Sequence, residues 1–166
     1  MKLLLLRHAP AEPADAAGGL DEARRLTSRG RRRFEKAARG LASVVPRPQA
    51  LWSSPLIRAM ETAEIAAKAW GRIEPTSEPL LAGGEPEALM RALEDHAAAR
   101  SDDGVIALVG HEPDVSAFLG RLLGGSGEGL SFKKGGAALV DVPDFRVPVA
   151  QLIWFLPPRL LRRLGS

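Results

Sequence analysis

Four residues stand out as able to do chemistry together: Arg7, His8, Arg58 and His111. Arg7 and His8 are adjacent and come directly after the apolar run Leu3-Leu4-Leu5-Leu6. The pair joins a permanent cation to an imidazole that is neutral near physiological pH. That combination suits attack on phosphorus, with the guanidinium holding phosphate oxygens and the imidazole supplying the nitrogen nucleophile. Taken alone, an Arg-His pair is more often a plain strand-end surface feature, so the reading depends on partners elsewhere.

The partners lie at two further strand ends. Ala50-Leu51-Trp52 is a short apolar patch succeeded by Ser53-Ser54-Pro55-Leu56-Ile57-Arg58. Ser54 is a good N-cap and Pro55 a good first residue for a helix whose stripe is Ala59, Met60, Ala63, Ala66 and Ala67. Arg58 then falls in the first turn, where a cation opposes the helix dipole and a bound anion would offset the penalty. Val105-Ile106-Ala107-Leu108-Val109 reads as a central parallel strand, with Gly110 for the turn and His111 where the strand ends. Pro113 and Asp114 open the next helix, with Asp114 as its cap and Glu112 available to orient His111. The remaining histidine, His96, sits on the polar side of a predicted helix and is expected to be solvated.

The elements needed to position these residues alternate. Strands are predicted near Lys2 to Leu6, Ala50 to Ser53, Arg72 to Glu74, Val105 to Val109, Ala137 to Val142 and Gln151 to Phe155. Helices are predicted near Thr27 to Val44, Pro55 to Trp70, Glu85 to Ala99 and Asp114 to Leu123, with a short closing turn over Arg159 to Leu164. Such alternation predicts a three-layer α/β/α sandwich with a mostly parallel central sheet. Ligands of open α/β sheets bind at the carboxyl edge of the strands, which is where Arg7-His8 and His111 fall. Pro10 to Asp21, rich in Ala, Gly and Pro, is expected to be a loop bordering that edge, and Gly124 to Gly129 a flexible turn.

Composition narrows the classes. At 166 residues the chain is expected to be a single domain over 1–166, burying roughly 70% of its unfolded surface. It has no Cys, which excludes thiol catalysis, disulfides and cysteine-ligated metal. No segment is long enough to span a membrane, and the apolar run of Leu3 to Leu6 is too short for a signal peptide, so a cytoplasmic protein is expected. Arginine far exceeds lysine, and Ala, Gly and Pro abound, which hints at a GC-rich bacterial genome. The net charge of +3 invites a nucleic-acid reading. Against it, Arg24, Arg25, Arg29, Arg31, Arg32 and Arg33 alternate with Asp21, Glu22 and Glu35, aromatic residues make up 5% and Tyr is absent. A solvated charged face, helpful in capturing acidic or phosphorylated ligands, fits better than a base-stacking surface.

A transferred phosphoryl group carries charge on three equatorial oxygens. Arg7 and Arg58 can each donate a planar fork of N–H groups to them, with His111 adding another donor. His8 must be neutral at the attacking nitrogen, with its other N–H held by a carbonyl or carboxylate. The arginines and histidine then supply the charge neutralisation that Mg²⁺ supplies in kinases, so neither metal nor cofactor is expected. A metal site from His8, His111 and Asp114 is the weak alternative, since no helical His spacing supports it.

Arg7-His8, then Ser54-Pro55-x-x-Arg58-Ala59-x-x-Thr62, then Gly110-His111 resemble the histidine phosphatase superfamily, also called phosphoglycerate mutase-like. The short chain, together with Leu26-Thr27-x-x-Gly30, Gly110-His111-Glu112-Pro113 and Phe132-Lys133-Lys134-Gly135, is similar to the SixA branch of small bacterial phosphohistidine phosphatases. The likeness covers nearly the whole chain. It departs at Ala9, where the superfamily usually has Gly. The resemblance implies the phosphoglycerate mutase-like fold, catalysis by His8 as nucleophile with Arg7, Arg58 and His111, and a phosphorylated protein such as a histidine phosphotransfer domain as partner. Lys133 is a further candidate for holding substrate, although an exposed hairpin lysine is equally expected.

Many superfamily members place a Glu or Asp general acid after the third strand. Here that region is Pro79-Leu80-Leu81-Ala82-Gly83-Gly84-Glu85, with Glu85 the nearest acid and better suited to the next helix's first turn. An alkoxide leaving group needs an acid, whereas the phosphoramidate of phosphohistidine can do without a strong one. The expectation is therefore a phosphohistidine phosphatase. The alternatives are a phosphomonoesterase for small metabolites and, less favoured because all four site residues are present, a non-catalytic phosphate-binding module.

Overall fold

The computed structural model describes residues 1–99, 104–147 and 149–166. Strands are β1 (Lys2–Arg7), β2 (Ala50–Ser53), β3 (Pro75–Ser77), β4 (Val105–Gly110), β5 (Ala137–Asp141) and β6 (Gln151–Leu156). Helices are α1 (Ser28–Val44), α2 (Ile57–Ala69), α3 (Pro86–Ala98), α4 (Asp114–Leu122) and α5 (Pro158–Leu164). The strands make one sheet in the order β3-β2-β4-β1-β5-β6. The β3-β2, β2-β4 and β4-β1 pairs are parallel, and β5 is antiparallel to both β1 and β6.

Alternation along β1 explains the layers. Leu4 and Leu6 point to one face, with Ala107 and Val109 of β4, against Phe34 and Leu41 of α1, Ala63 and Ala66 of α2 and Leu161 of α5. Leu3 and Leu5 point to the other, with Ile106 and Leu108, against Leu89 and Leu93 of α3 and Phe118 and Leu119 of α4. Every residue from Leu3 to Leu6 is essentially inaccessible, and burying each contributes about 2 kcal/mol. A strand buried on both faces has to read as a continuous apolar run, which is why Leu3–Leu6 and Val105–Val109 do not alternate.

Several expectations are corrected. The short strand lies at Pro75–Ser77, not Arg72–Glu74, because Gly71 and Arg72 both adopt left-handed backbone and form the turn before it. Pro75 is tolerated there as the first residue of an edge strand. Helix α2 begins at Ile57 with Leu56 as its cap residue, so Ser54 and Pro55 remain in the connection. Asp114 is the first residue of α4 and not its cap, since Pro113 takes that place without a side-chain bond. His96 is half-buried, its ring edge-to-face on Trp52 at 5.1 Å, because this flank of α3 lies against the sheet. The expected closing turn is a full helix, α5, packed on α1.

Candidate active site

Register brings the candidate residues together. β1 and β4 are parallel neighbours paired Arg7 to Gly110, so the next residue of each, His8 and His111, emerges beside the other. Their ring centroids are 5.1 Å apart with the planes tilted by 50°. The backbone continues the ladder beyond the strands: His8 N donates to Gly110 O at 3.0 Å, and Ser54 N donates to Val109 O at 2.9 Å. The chain leaving β2 therefore passes the same edge before turning into α2, whose first turn delivers Arg58.

Side-chain contacts then lock the edge. Thr62 Oγ1 accepts from Ala9 N at 3.0 Å and donates to Arg58 O at 2.7 Å. Ala9 is fully buried among the core residues facing α1 and α2, so its methyl fits where the superfamily pattern has Gly. Behind it, Thr27 caps α1 through Gly30 N at 2.8 Å, and Thr27 N donates to Pro10 O at 3.0 Å. A Cβ on Gly30 would overlap the Pro10 carbonyl oxygen, which explains the glycine of Leu26-Thr27-x-x-Gly30. On the other side, Gly135 in left-handed conformation donates its N–H to the carbonyls of Arg7 and His8 at 3.1 and 3.0 Å.

His8 is 5% exposed. Its Nδ1 lies 2.7 Å from Ala9 O. A carbonyl can only accept, so Nδ1 carries the proton and Nε2 the lone pair. Burial chiefly, and then the nearby His111, Arg58 and Arg7, pull the His8 pKa down to about 3, against an opposing hydrogen bond to Ala9. His111 is pulled to about 4, again by burial first and then by Arg58, with Asp21 opposing. Both imidazoles are neutral near pH 7.

The ring of His111 is held by Ser54. Ser54 Oγ accepts from Leu56 N at 3.3 Å and lies 2.7 Å from His111 Nε2. The hydroxyl either donates to Nε2, which leaves Nδ1 as the N–H, or accepts from Nε2–H on its second lone pair. That Nδ1 is buried and has no protein partner; the same is true of Arg7 Nε and Arg58 Nε. Buried donors are normally satisfied. Arg7 Nε and Arg58 Nε, with His111 Nδ1 as a third donor in its Nδ1–H tautomer, come from three different segments of the chain and suit an oxyanion with several oxygens. Arg7 is oriented by Nη1 donating to Phe132 O at 2.6 Å, and burial lowers its pKa while Glu112 opposes.

Several contributors carried no sequence signal of their own. Asp21 pairs with Arg58, whose Nη2 meets Asp21 Oδ2 at 2.8 Å and whose Nη1 donates to Asp21 O at 2.7 Å. Arg24, mainly, and Arg58 hold Asp21 below its ordinary carboxylate range. Arg24 also donates to Glu12 O at 2.6 Å, tying the loop to itself. Glu61, 7% exposed, accepts from Leu26 N at 2.8 Å and pairs with Arg25 and Arg31. Each of these acts through the loop between β1 and α1, and a spacing pattern does not reveal which carboxylate folds back onto which cation.

The remaining candidates separate. Glu112 does not orient His111; its Oε1 accepts from Ser116 Oγ at 2.7 Å and Phe132 N at 2.8 Å, which fixes the segment that orients Arg7. Asp114 faces a small apolar cavity of about 120 Å³ beside Gly83, Leu81 and Phe118, and burial raises its pKa. Of the two lysines, Lys134 feels the site: burial, then Arg7, Arg24 and Arg58, lower its pKa. Lys133 and Lys134 both line a hollow next to Pro10. Glu85 is the residue preceding α3 and makes no capping bond. Among the described residues no group of three or more His, Asp or Glu is arranged to hold a metal ion, and no helix is long and apolar enough to cross a membrane.

Comparison with known proteins identifies relatives of the chain. Residues 3–83, which include Arg7, His8 and Arg58, match the model of the histidine phosphatase superfamily, branch 1. An uncharacterized protein of Picosynechococcus is 34% identical over 139 residues, 82% of each chain. Among solved structures, the protein histidine phosphatase SixA complexed with tungstate superposes with a TM-score of 0.82 at 20% identity, covering 97% of this chain and 99% of that one. A putative phosphohistidine phosphatase SixA from Agrobacterium tumefaciens gives 0.75 at 27% identity over 95% and 98%. A putative α-ribazole-5'-P phosphatase from Escherichia coli gives 0.71 at 18% over 95% and 98%. The sheet order and its layers are those of the phosphoglycerate mutase-like fold, and the chain belongs to the histidine phosphatase superfamily.

Proposed function

We propose that the protein is a metal-independent phosphatase that works through a phosphohistidine intermediate on His8 and takes phosphohistidine on a protein as its substrate. The observation that carries the reading is the state of His8. It is buried, neutral, and protonated on Nδ1 by virtue of the Ala9 carbonyl. A neutral imidazole with a free Nε2 lone pair is a competent nucleophile.

In the first step His8 Nε2 forms a bond to phosphorus as the bond from phosphorus to the substrate's imidazole nitrogen breaks. The bonding pair leaves with that nitrogen, which takes a proton from water. Arg7, Arg58 and, in its Nδ1–H tautomer, His111 donate to the phosphoryl oxygens as charge accumulates on them. In the second step water attacks phosphorus, the bond to Nε2 breaks, and inorganic phosphate leaves. An imidazole leaving group needs no strong acid. This agrees with Asp21, the carboxylate that acts on His111, being held ionised by Arg24 and Arg58. The likeness to SixA structures supports assignment to that branch, and a cytoplasmic bacterial protein is part of the same reading.

The second reading is a phosphomonoesterase for small metabolites, with Glu85 brought to the leaving group as general acid. It is favoured by the position of Glu85 just beyond Gly83 and Gly84, which line the cavity beside Gly110. Phosphate release from a histidine-phosphorylated phosphotransfer domain, para-nitrophenyl phosphate and a sugar phosphate, each with EDTA, separates the two. Fast release from phosphohistidine alone supports the first reading. Faster release from the esters selects the second.

A further inference from the structure

A basic groove begins at the site and runs away from it. Its near end is formed by Pro10, Lys133, Lys134 and Gly135. Gly135 is bonded directly to the carbonyls of Arg7 and His8, so the groove starts at the nucleophile's own loop. Its floor includes Phe34 and Pro158, its walls include Arg33, Arg159 and Arg162, and it encloses about 280 Å³. A second hollow of about 460 Å³ shares Arg33 and Arg162 and extends the basic lining through Arg29, Arg32 and Lys36. Arg29, Arg32, Arg33 and Lys36 are three or four residues apart and so share one face of α1.

No Asp or Glu lines either hollow. None of these eight cations forms an ion pair among the described residues. The whole chain carries only +3, so the rest of the molecule is net negative and the positive field is concentrated here. Unpaired like charges at this spacing repel one another and oppose folding. A partner carrying carboxylates would relieve that repulsion and be steered to the site.

We propose that this groove is the docking surface for an acidic face of the phosphorylated protein substrate, the phosphohistidine entering at the Lys134 end. The proposal rests on the phosphohistidine reading and names its partner's chemistry. The groove runs along about two turns of α1, roughly 10 Å, further than a small phosphorylated metabolite needs. Its aromatic floor residue, Phe34, is 2% exposed, which leaves no open ring for base stacking.

The test uses Arg33→Glu/Arg162→Glu, with Arg91→Glu on α3 as a charge-changing control and Arg33→Gln/Arg162→Gln should the reversal fail to fold. Substrates are an acidic phosphotransfer domain phosphorylated on histidine and free phosphohistidine. The groove variant is expected to raise KM for the domain by about tenfold or more and to flatten its salt dependence. It should move kcat/KM for free phosphohistidine by less than about twofold, and the control should change neither. An equal loss on both substrates, or no loss on the domain, overturns the proposal. Should wild type hydrolyse neither substrate, the function reading fails, and the groove is judged by calorimetric binding of the same domain to His8→Ala. Binding weakened about tenfold by the groove substitutions upholds it. Unchanged binding, or tighter binding of single-stranded RNA or of phosphatidylserine vesicles, overturns it.

Discussion

Arg7 and Arg58 at the carboxyl edge of the sheet and Arg33 and Arg162 on the α1–α5 face are the same residue type in opposite situations. At the edge each guanidinium is held by a backbone carbonyl, Phe132 O for Arg7 and Asp21 O for Arg58, and each retains a buried Nε without a partner. On the helical face the arginines border open hollows and are paired with no carboxylate among the described residues. A fixed, dehydrated donor stabilises developing charge because nothing reorganises during reaction. A mobile, hydrated cation supplies long-range attraction that salt screens. On the proposed function, the same side chain serves transition-state stabilisation in one region and steering in the other.

The largest expected effect breaks the edge outright. His8→Ala removes the proposed nucleophile and should lower kcat by at least about 10³-fold with an unchanged far-UV spectrum. Residual activity near wild type in a phosphate-release assay would show that the edge does not react through His8. Next, Arg58→Ala should lower kcat/KM by about 10²- to 10³-fold, the effect of losing one fixed oxyanion donor. A loss as small as that for an exposed arginine would erase the distinction drawn between the two regions.

Smaller effects sharpen it. Ser54→Ala removes the hydroxyl that holds His111 Nε2 and should cost about tenfold in kcat with little change in KM. Asp21→Asn removes the carboxylate that competes with phosphate for Arg58, so inhibition by inorganic phosphate should tighten by about threefold. Weaker inhibition would mean that Asp21 holds Arg58 in place and does not screen it.

Protonation gives a test independent of turnover. The folded-state pKa values of His8 and His111, about 3 and about 4, lie below the unfolded value of 6.5. As pH falls through 6.5 the unfolded chain takes up protons that the folded chain refuses. The stability due to these two histidines is therefore fully present above 6.5 and is lost as pH falls toward their folded values. In an NMR titration both rings should remain neutral at pH 5, whereas exposed His residues would be mostly charged. A midpoint near 6.5 for His8 would show that the edge is as hydrated as the helical face.

Much of the site was legible because its residues lie at the ends of strands marked by unbroken apolar runs. Leu3–Leu6 and Val105–Val109 announce buried parallel strands, and the residues next after such strands lie at the sheet's carboxyl edge. Ser54 was legible as a polar residue after a strand, but its hydroxyl has a different role from the expected helix cap: it is turned to His111. Helix capping is a local preference, and a buried imidazole nitrogen in need of a partner overrides it. The loop contributors were not legible, since Asp21 reaches Arg58 across 37 residues of chain and Glu61 reaches Leu26 across 35.

The chain's own pattern of apolar runs and turn residues is enough to determine the layered α/β class and the sheet edge at which Arg7, His8 and His111 lie. These come from periodicity, which is a local property of the sequence. Tertiary structure decided which nitrogen of His8 carries its proton, that Ser54 meets His111, that Asp21 faces Arg58, and that cations from α1, α5 and the 133–135 segment form one groove. Those outcomes depend on distances between segments far apart in sequence, and only the packing of α1 and α5 against one face of the sheet establishes them.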